Sequence, residues 1–299
     1  MMKLSHESKV RLGVGIGAFV LIIGLVFGIS RTLIHFDGPW DLDDVVPGLS
    51  GMDDMFDEDD LLDGGNYSAR PQQLSSTTFD EDAFQSLDLD VTSGTVEVKR
   101  VSDGPVRVIE SGHVAKGASA SDAATQNLAK IEGSTLKISQ FDCDDKRAID
   151  RTITIELPRD VADSLVGITA NVGSGDLAVA DIVCHDLDIT LNSGDVEFTG
   201  TVTDTLNAKV GSGDMTFELY QAPAKSMDVS VGSGDVEMTV PNSTGFKASL
   251  TLGSGDFESD FLPLGYDGET ILNLEFDNGD KSATYRFEIG SGDMSFDSE

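Results

Sequence analysis

Six aspartates close a repeated tetrapeptide: Asp176, Asp195, Asp214, Asp235, Asp256 and Asp293. Five of the tetrapeptides read Gly-Ser-Gly-Asp, and the one ending at Asp195 reads Asn-Ser-Gly-Asp. Carboxylates are hard oxygen donors, so a row of them suits calcium. If the six stack about 5 Å apart, neighbouring charges repel by roughly 0.8 kcal/mol even at the dielectric of water, and a bound cation relieves this. The calcium-binding β-roll repeat, however, is Gly-Gly-x-Gly-x-Asp with a period of about nine residues. Here the steps are 19, 19, 21, 21 and 37 residues. The competing reading is that each aspartate accepts hydrogen bonds from corner amides and faces water.

Other chemistries fit less well. A serine hydrolase needs one constellation of Ser, His and Asp, not several similar turns. The histidines are His6, His35, His113 and His185, and no Gly-x-Ser-x-Gly elbow accompanies them. No glycine-rich loop leads into a helix, so the Gly-Ser units are not phosphate cradles. The chain is expected not to be an enzyme and to need no cofactor. Its two cysteines, Cys143 and Cys184, match no zinc spacing. They lie 41 residues apart, or about two repeats. Ideal stacking separates them by roughly 10 Å, beyond disulfide reach of about 7 Å. The irregular stretch Phe141 to Asp150 interrupts that register, so a bridge stays open.

The elements that position the tetrapeptides are strands. Leu187, Ile189 and Leu191 alternate with Asp188 and Thr190 before one corner, and Val196 and Phe198 flank Glu197 after it. Met227, Val229 and Val231, then Val236, Met238 and Val240, repeat the pattern. Period-two alternation means strands with one buried face. The glycines at the corners are Gly173 and Gly175, Gly194, Gly211 and Gly213, Gly232 and Gly234, Gly253 and Gly255, and Gly290 and Gly292. They are expected to supply backbone conformations closed to other residues. A degenerate copy stands at Val91-Thr-Ser-Gly-Thr-Val96.

A fixed period near 20 residues marks a repeat architecture. The spacing predicts an all-β fold, a β-solenoid with one repeat per coil; a β-sandwich or meander with hairpin corners is the alternative. About eleven coils at ~4.8 Å each give a rod of roughly 50 Å. The acidic tail Asp293 to Glu299 is expected to protect one end by charge.

Ahead of the repeats, Leu12 to Ile29 is an uncharged run of 18 apolar or glycine residues. It is close to the length of a transmembrane helix, and Thr32 to Phe36 extends it. No small-x-small cleavage site follows, which favours an uncleaved anchor over a signal peptide. Lys3, Lys9 and Arg11 precede the run and only Arg31 follows it. The positive-inside rule puts the N-terminus in the cytoplasm and the rest outside. Gly24 and Gly28 offer a helix-packing face. Asp37 to Gly64 then carries eleven carboxylates and no Lys or Arg. Such a segment self-repels and serves as a spacer, though its apolar residues could fold onto a basic partner. The organisation read from sequence is a cytoplasmic tail (1–11), a membrane helix (12–34), an acidic flexible linker (35–78) and a β-repeat domain (79–299). The net charge of −33 argues against nucleic acid and towards cationic partners, divalent ions or solubility.

The order of segments carries a resemblance. Leu87-Asp-Leu-Asp-Val-Thr-Ser-Gly-Thr-Val-Glu-Val98 is followed by Leu136-Lys-Ile-Ser139, then Thr152-Ile-Thr-Ile-Glu-Leu-Pro158, then the Ser-Gly-Asp repeats. From about Phe79 to Glu299 this resembles the bacterial "putative adhesin" domain of unknown function, often attached to a membrane helix. Gly112 to Lys130, rich in Ala and Ser, reads as an insertion or loop. The resemblance implies a β-helical surface domain without catalytic residues. It further implies an adhesin-like or envelope interaction module in the bacterial cell membrane, touching envelope polymers or other cells. The alternative is an envelope-stress sensor that binds cationic antimicrobial peptides and relays through its membrane helix to a membrane-protein partner. A purely structural role is a third reading.

Overall fold

Strands form wherever apolar residues alternate with polar ones and one face is covered. In chain order they are β1 (Gln72–Phe79), β2 (Ser86–Val91), β3 (Thr95–Val101), β4 (Val106–Val114), β5 (Ala129–Glu132), β6 (Thr135–Ile138), β7 (Ala148–Pro158), β8 (Leu165–Val172) and β9 (Asp176–Leu191). They continue with β10 (Asp195–Val210), β11 (Asp214–Gln221), β12 (Ser226–Val231), β13 (Val236–Val240), β14 (Phe246–Leu252), β15 (Phe257–Ser259), β16 (Asn273–Asn278), β17 (Ala283–Ile289) and β18 (Met294–Ser298). Two short helices, α1 (Ala120–Ala123) and α2 (Arg159–Ala162), interrupt them. The computed structural model describes residues 66–139, 146–262, 273–279 and 282–299. The candidate membrane span Leu12–Ile29, the linker as far as residue 65, and Cys143 lie outside the described residues. Among the described residues no helix is long and apolar enough to cross a membrane.

The fold is all-β and solenoid-like. Strands that lead into the corners make one layer, in the order β5, β6, β2, β8, the second half of β9, the second half of β10, β12, β17, β14, β16. Strands that leave the corners make the other: β1, β4, β7, β3, the first half of β9, the first half of β10, β11, β13, β18, β15. Pairing is parallel and in register through the middle, as between Asp195–Val196 and Asp214–Met215. It turns antiparallel at the ends, where β4 pairs with β1 and β7, β5 with β6, and β16 with β14. The hairpin-like character of the sandwich alternative is confined to these ends. β9 crosses from one layer to the other between Ala180 and Cys184, and β10 between Thr201 and Thr205; Asp181 (φ 58°) stands in the first crossing, and Gly200 (φ 156°) at the register shift just before the second.

One continuous apolar core, from Phe84 to Phe296, fills the space between the layers. Valine, leucine and isoleucine fill its early coils, and aromatic rings fill its far end. There Phe246 stacks on Tyr285 at 5.0 Å and meets Phe261 and Phe276 edge-on. The Tyr285 hydroxyl donates to the Pro223 carbonyl at 2.8 Å.

Four expectations are corrected. First, spatial order departs from chain order at both ends. The first coil, β2–β3, lies between β6–β7 and β8–β9. The last, β17–β18, is wedged between β12–β13 and β14–β15. The 37-residue step from Asp256 to Asp293, close to two periods in length, is therefore a return path through β16. Second, among the described residues the corners stack in seven rungs, through Thr95, Asp176, Asp195, Asp214, Asp235, Asp293 and Asp256. This is fewer than the eleven coils expected; β6–β7 stacks parallel on β2–β3, but the segment joining its strands lies outside the described residues, and β1, β4, β5 and β16 pair antiparallel. Third, the tail Asp293 to Glu299 does not guard an end; most of it is β18, paired on both sides. Fourth, the fold begins before Phe79. Tyr67 already bridges Ala115, and β1 starts at Gln72. β1 reads QQLSSTTF and lacks apolar alternation because only Leu74 is buried.

The expected insertion Gly112 to Lys130 is narrower than its bounds: Gly112–Val114 close β4 and Ala129–Lys130 open β5, and the segment between is built around α1, whose N-cap Ser119 accepts from the Asp122 amide at 3.2 Å. It is held by a buried ion pair that sequence reasoning missed. Arg151 Nη1 donates to Glu110 Oε1 at 2.7 Å and to the Ala123 carbonyl at 2.8 Å. Thr125 donates to the same carboxylate from its hydroxyl (2.6 Å) and its amide (2.9 Å). Burying both charges is tolerable only because Glu110 is saturated with donors. The available signal was an acid at an inward position of the β4 alternation after Val106 and Val108.

Candidate functional site

Each corner is built by its backbone. In successive rungs the first-position amide donates to the strand carbonyl of the rung beside it: Asn192 to Val172 (2.8 Å), Gly211 to Leu191 (2.8 Å), Gly232 to Val210 (2.8 Å). The serine amide does the same: Ser193 to Gly173 (2.9 Å), Ser212 to Asn192 (2.8 Å), Ser291 to Gly232 (2.7 Å). The sheet ladder thus continues around the bend, leaving few main-chain groups unpaired.

The third position is glycine in every copy, including the degenerate one at Gly94. The reason differs from the conformational freedom expected. Among these glycines only Gly94 has a positive φ, 75°. A Cβ on Gly194, Gly213, Gly234, Gly292 or Gly255 would instead overlap the carbonyl oxygen of the equivalent glycine one rung away. The corners pack so tightly that only hydrogen fits. The first position is looser, and Thr92 and Asn192 occupy it in two rungs.

The aspartates do form a column. Asp195 N donates to Asp176 Oδ1 at 3.3 Å, Asp235 N to Asp214 Oδ1 at 3.2 Å, Asp293 N to Asp235 Oδ1 at 3.0 Å and Asp256 N to Asp293 Oδ1 at 2.9 Å. Each of these carboxylates accepts the main-chain amide of the next aspartate, so a side chain completes the ladder where a carbonyl would otherwise stand. Among the described residues no three His, Cys, Asp or Glu side chains come close enough together to hold a metal ion. Burial, and then the neighbouring charges of Asp235 and Asp195, hold the Asp214 carboxyl above its ordinary range, against the lowering effect of the Asp235 amide. The corner serines lie exposed beside the aspartates, and Ser254 and Ser291 meet at 3.3 Å.

The column borders a larger acidic surface. Outward positions of the layer leaving the corners hold Glu197, Glu218, Glu237, Asp297 and Glu258. No Lys or Arg occurs in β11, β13, β15, β18 or the first half of β10. Burial and then Glu218 raise the Glu197 carboxyl, and burial and then Asp260 raise Asp297. The opposite layer is mixed, with Lys209, Lys247 and Arg286 among Asp188, Asp228 and Glu288. Parallel register aligns like residues, so a repeat that is acidic after its corner becomes an acidic face.

The remaining candidates are apart from this face. His185 lies at the far turn, 3.8 Å from Asp204, whose carboxyl is lowered chiefly by its 2.7 Å hydrogen bond from Lys225. His113 Nδ1 lies 2.7 Å from the Ser68 carbonyl. Cys184 is buried in the core, and burial pushes its thiol up to about 12. Its candidate disulfide partner Cys143 lies outside the described residues.

Solved structures align with this chain at low identity. A "putative cell adhesion protein" of Clostridium sporogenes aligns over 77% of this chain and 100% of its own, with 14% identity and a TM-score of 0.45. A "putative adhesin" of Bacteroides fragilis covers 77% and 98%, at 15% identity and a TM-score of 0.36. A "putative lipid binding protein" of Parabacteroides distasonis covers 77% and 98%, at 12% identity and 0.35. No curated protein matches the chain. The family model described as Toastrack DUF4097 matches residues 62–297, a span that takes in every strand from β1 to β17 and nearly all of β18, and the chain therefore belongs to the Toastrack DUF4097 family.

Proposed function

We propose that this chain is a non-catalytic interaction module of the bacterial cell surface, tethered by Leu12–Ile29 and engaging cationic partners through its acidic layer. The observation that carries the reading is the one-sided charge. Five outward carboxylates and the aspartate column share the β10-to-β15 part of the layer leaving the corners, which holds no Lys or Arg; Lys99, Arg100 and Arg107 lie at the β3–β4 end of that layer, and the other layer is mixed throughout. A single-sign surface raises the local concentration of oppositely charged partners and orients their approach. The apolar run and its preceding Lys3, Lys9 and Arg11 support a single-pass anchor with the repeats outside.

The test is binding of a fluorescent lysine-rich peptide to the full chain in detergent, over a salt series. Affinity is expected to fall steeply with salt. The triple change Glu197→Gln, Glu218→Gln, Glu237→Gln is expected to weaken it about tenfold. Salt-independent binding, or none, sinks the reading. The same face favours the sensor as a second reading, since cationic antimicrobial peptides are partners of that charge. Deleting the gene and following envelope-stress transcription under peptide challenge separates the two: an altered response supports the sensor, an unchanged one the adhesin-like module.

A further inference from the structure

Stacked sheets end in edges, and unpaired edges invite another chain. Among the described residues the sheets end in four edge strands, and three of them are short or charged. β5 has four residues and carries Lys130 and Glu132, 2.7 Å apart. β15 has three residues and carries Glu258. β16 carries Glu275 and Asp277. β1 is different: eight residues, QQLSSTTF, without a charge. Ser76, Thr77 and Thr78 are exposed. Among the described residues β1 pairs with β4 on one side and with nothing on the other. Its bulge between Gln73 and Ser75 leaves the later half regular.

We infer that β1 is a self-association edge, pairing antiparallel with β1 of a second copy across a two-fold axis. Charge is the first argument. A chain of net charge −33 repels its own copies, and β1 is a long neutral strip where that repulsion is least. The ends of the strand are the second. Arg70 stands just before β1, exposed and without an ion pair among the described residues; Asp80, Glu81 and Asp82 stand just after it, also exposed. Antiparallel pairing brings each Arg70 to the acidic run of the other copy, twice by symmetry. Parallel pairing would set the acidic runs side by side. The product is one sheet continuing through both molecules, with main-chain hydrogen bonds supplying the affinity.

The experiment measures the protein mass of the full chain in nonionic detergent by light scattering, over a concentration series. A mass of twice 31.7 kDa at the upper end is expected. Ser76→Lys with Thr78→Lys should abolish the dimer while leaving circular dichroism unchanged. Arg70→Glu should weaken it about tenfold, and adding Asp80→Arg and Asp82→Arg should restore it. A monomer at every concentration overturns the proposal, whatever segment covers the edge instead. So does a dimer that both the lysine pair and Arg70→Glu leave intact, because its interface lies elsewhere, such as the Gly24–Gly28 face. A weakened Arg70→Glu dimer that the reversed charges fail to rescue overturns the antiparallel arrangement.

Discussion

At the scale of single residues, the corner separates two reasons for glycine. Gly213→Ala places a methyl on the Gly194 carbonyl, which is backbone and cannot swing aside, and against Leu191 Cδ2 at 3.0 Å. A cost of about 1–3 kcal/mol is expected from such overpacking. Gly173→Asn copies the residue at Asn192, and its Cβ would meet the Thr92 carbonyl at 3.0 Å. It should cost under about 1 kcal/mol. Denaturant melts of both variants decide it; equal losses would refute the packing account. Asp235 allows a second comparison. Asp235→Ala strands the Asp293 amide and should cost about 1 kcal/mol. Asp235→Asn keeps an acceptor and removes one charge from the column, so it should match or exceed the parent in the same melts. Were Asn as damaging as Ala, the charge itself would be structural, and a bound cation would become the better explanation. The buried pair is the most sensitive position. Arg151→Met leaves Glu110 charged and fully buried, with an expected loss of about 3–5 kcal/mol.

At the scale of elements, the decisive feature is the insertion of β17–β18 between coils that precede them in the chain. The crossing from β16 is pinned by Asn278, whose amide nitrogen donates to the Thr244 carbonyl at 2.7 Å and the Asn242 carbonyl at 3.3 Å. A terminal coil in an ordinary solenoid can fray with little effect on the rest. Here removing Met294 to Ser298 takes out part of an interior rung, and with Phe296 gone its ring partners Phe246, Phe261 and Phe287 are uncovered at the aromatic end of the core. A chain ending at Asp293 should therefore lose cooperative unfolding in calorimetry. If it instead melts as one transition near the parent's temperature, β13 and β15 have re-paired and the rung is dispensable. The repeats themselves were legible because alternation and corner spacing are local. The insertion was not, because nothing local distinguishes Ile289-Gly-Ser-Gly-Asp293 from the copies that stack in chain order.

At the scale of the molecule, charge governs the response to acid. Glu197, Asp214 and Asp297 have carboxyls raised mainly by burial and then by neighbouring acids. A raised acid binds protons more readily folded than unfolded. Stability must then fall as pH rises through the window just above the ordinary carboxylate range, and recover as pH falls through it. Asp204 acts oppositely but is exposed, where screening weakens its effect. The melting temperature is expected to rise on going from neutral pH into mild acid, more at low salt than at high. A steady fall across that range would show that paired carboxylates, not repelling ones, dominate.

Composition and period were enough to determine an all-β, acidic, corner-stacked chain, since alternation, glycine spacing and net charge are written residue by residue. They also located the aspartates that line up. Sequence could not rank those aspartates in space, because Asp293 joins the column between Asp235 and Asp256 only after the final coil inserts. Nor could it say why the third-position glycine is invariant, since the atom it must avoid belongs to another rung. β1 stayed hidden because an edge strand needs no apolar alternation. Contacts between distant coils decided these points, and such contacts arise from how surfaces meet once the core has formed, not from any pattern within one repeat.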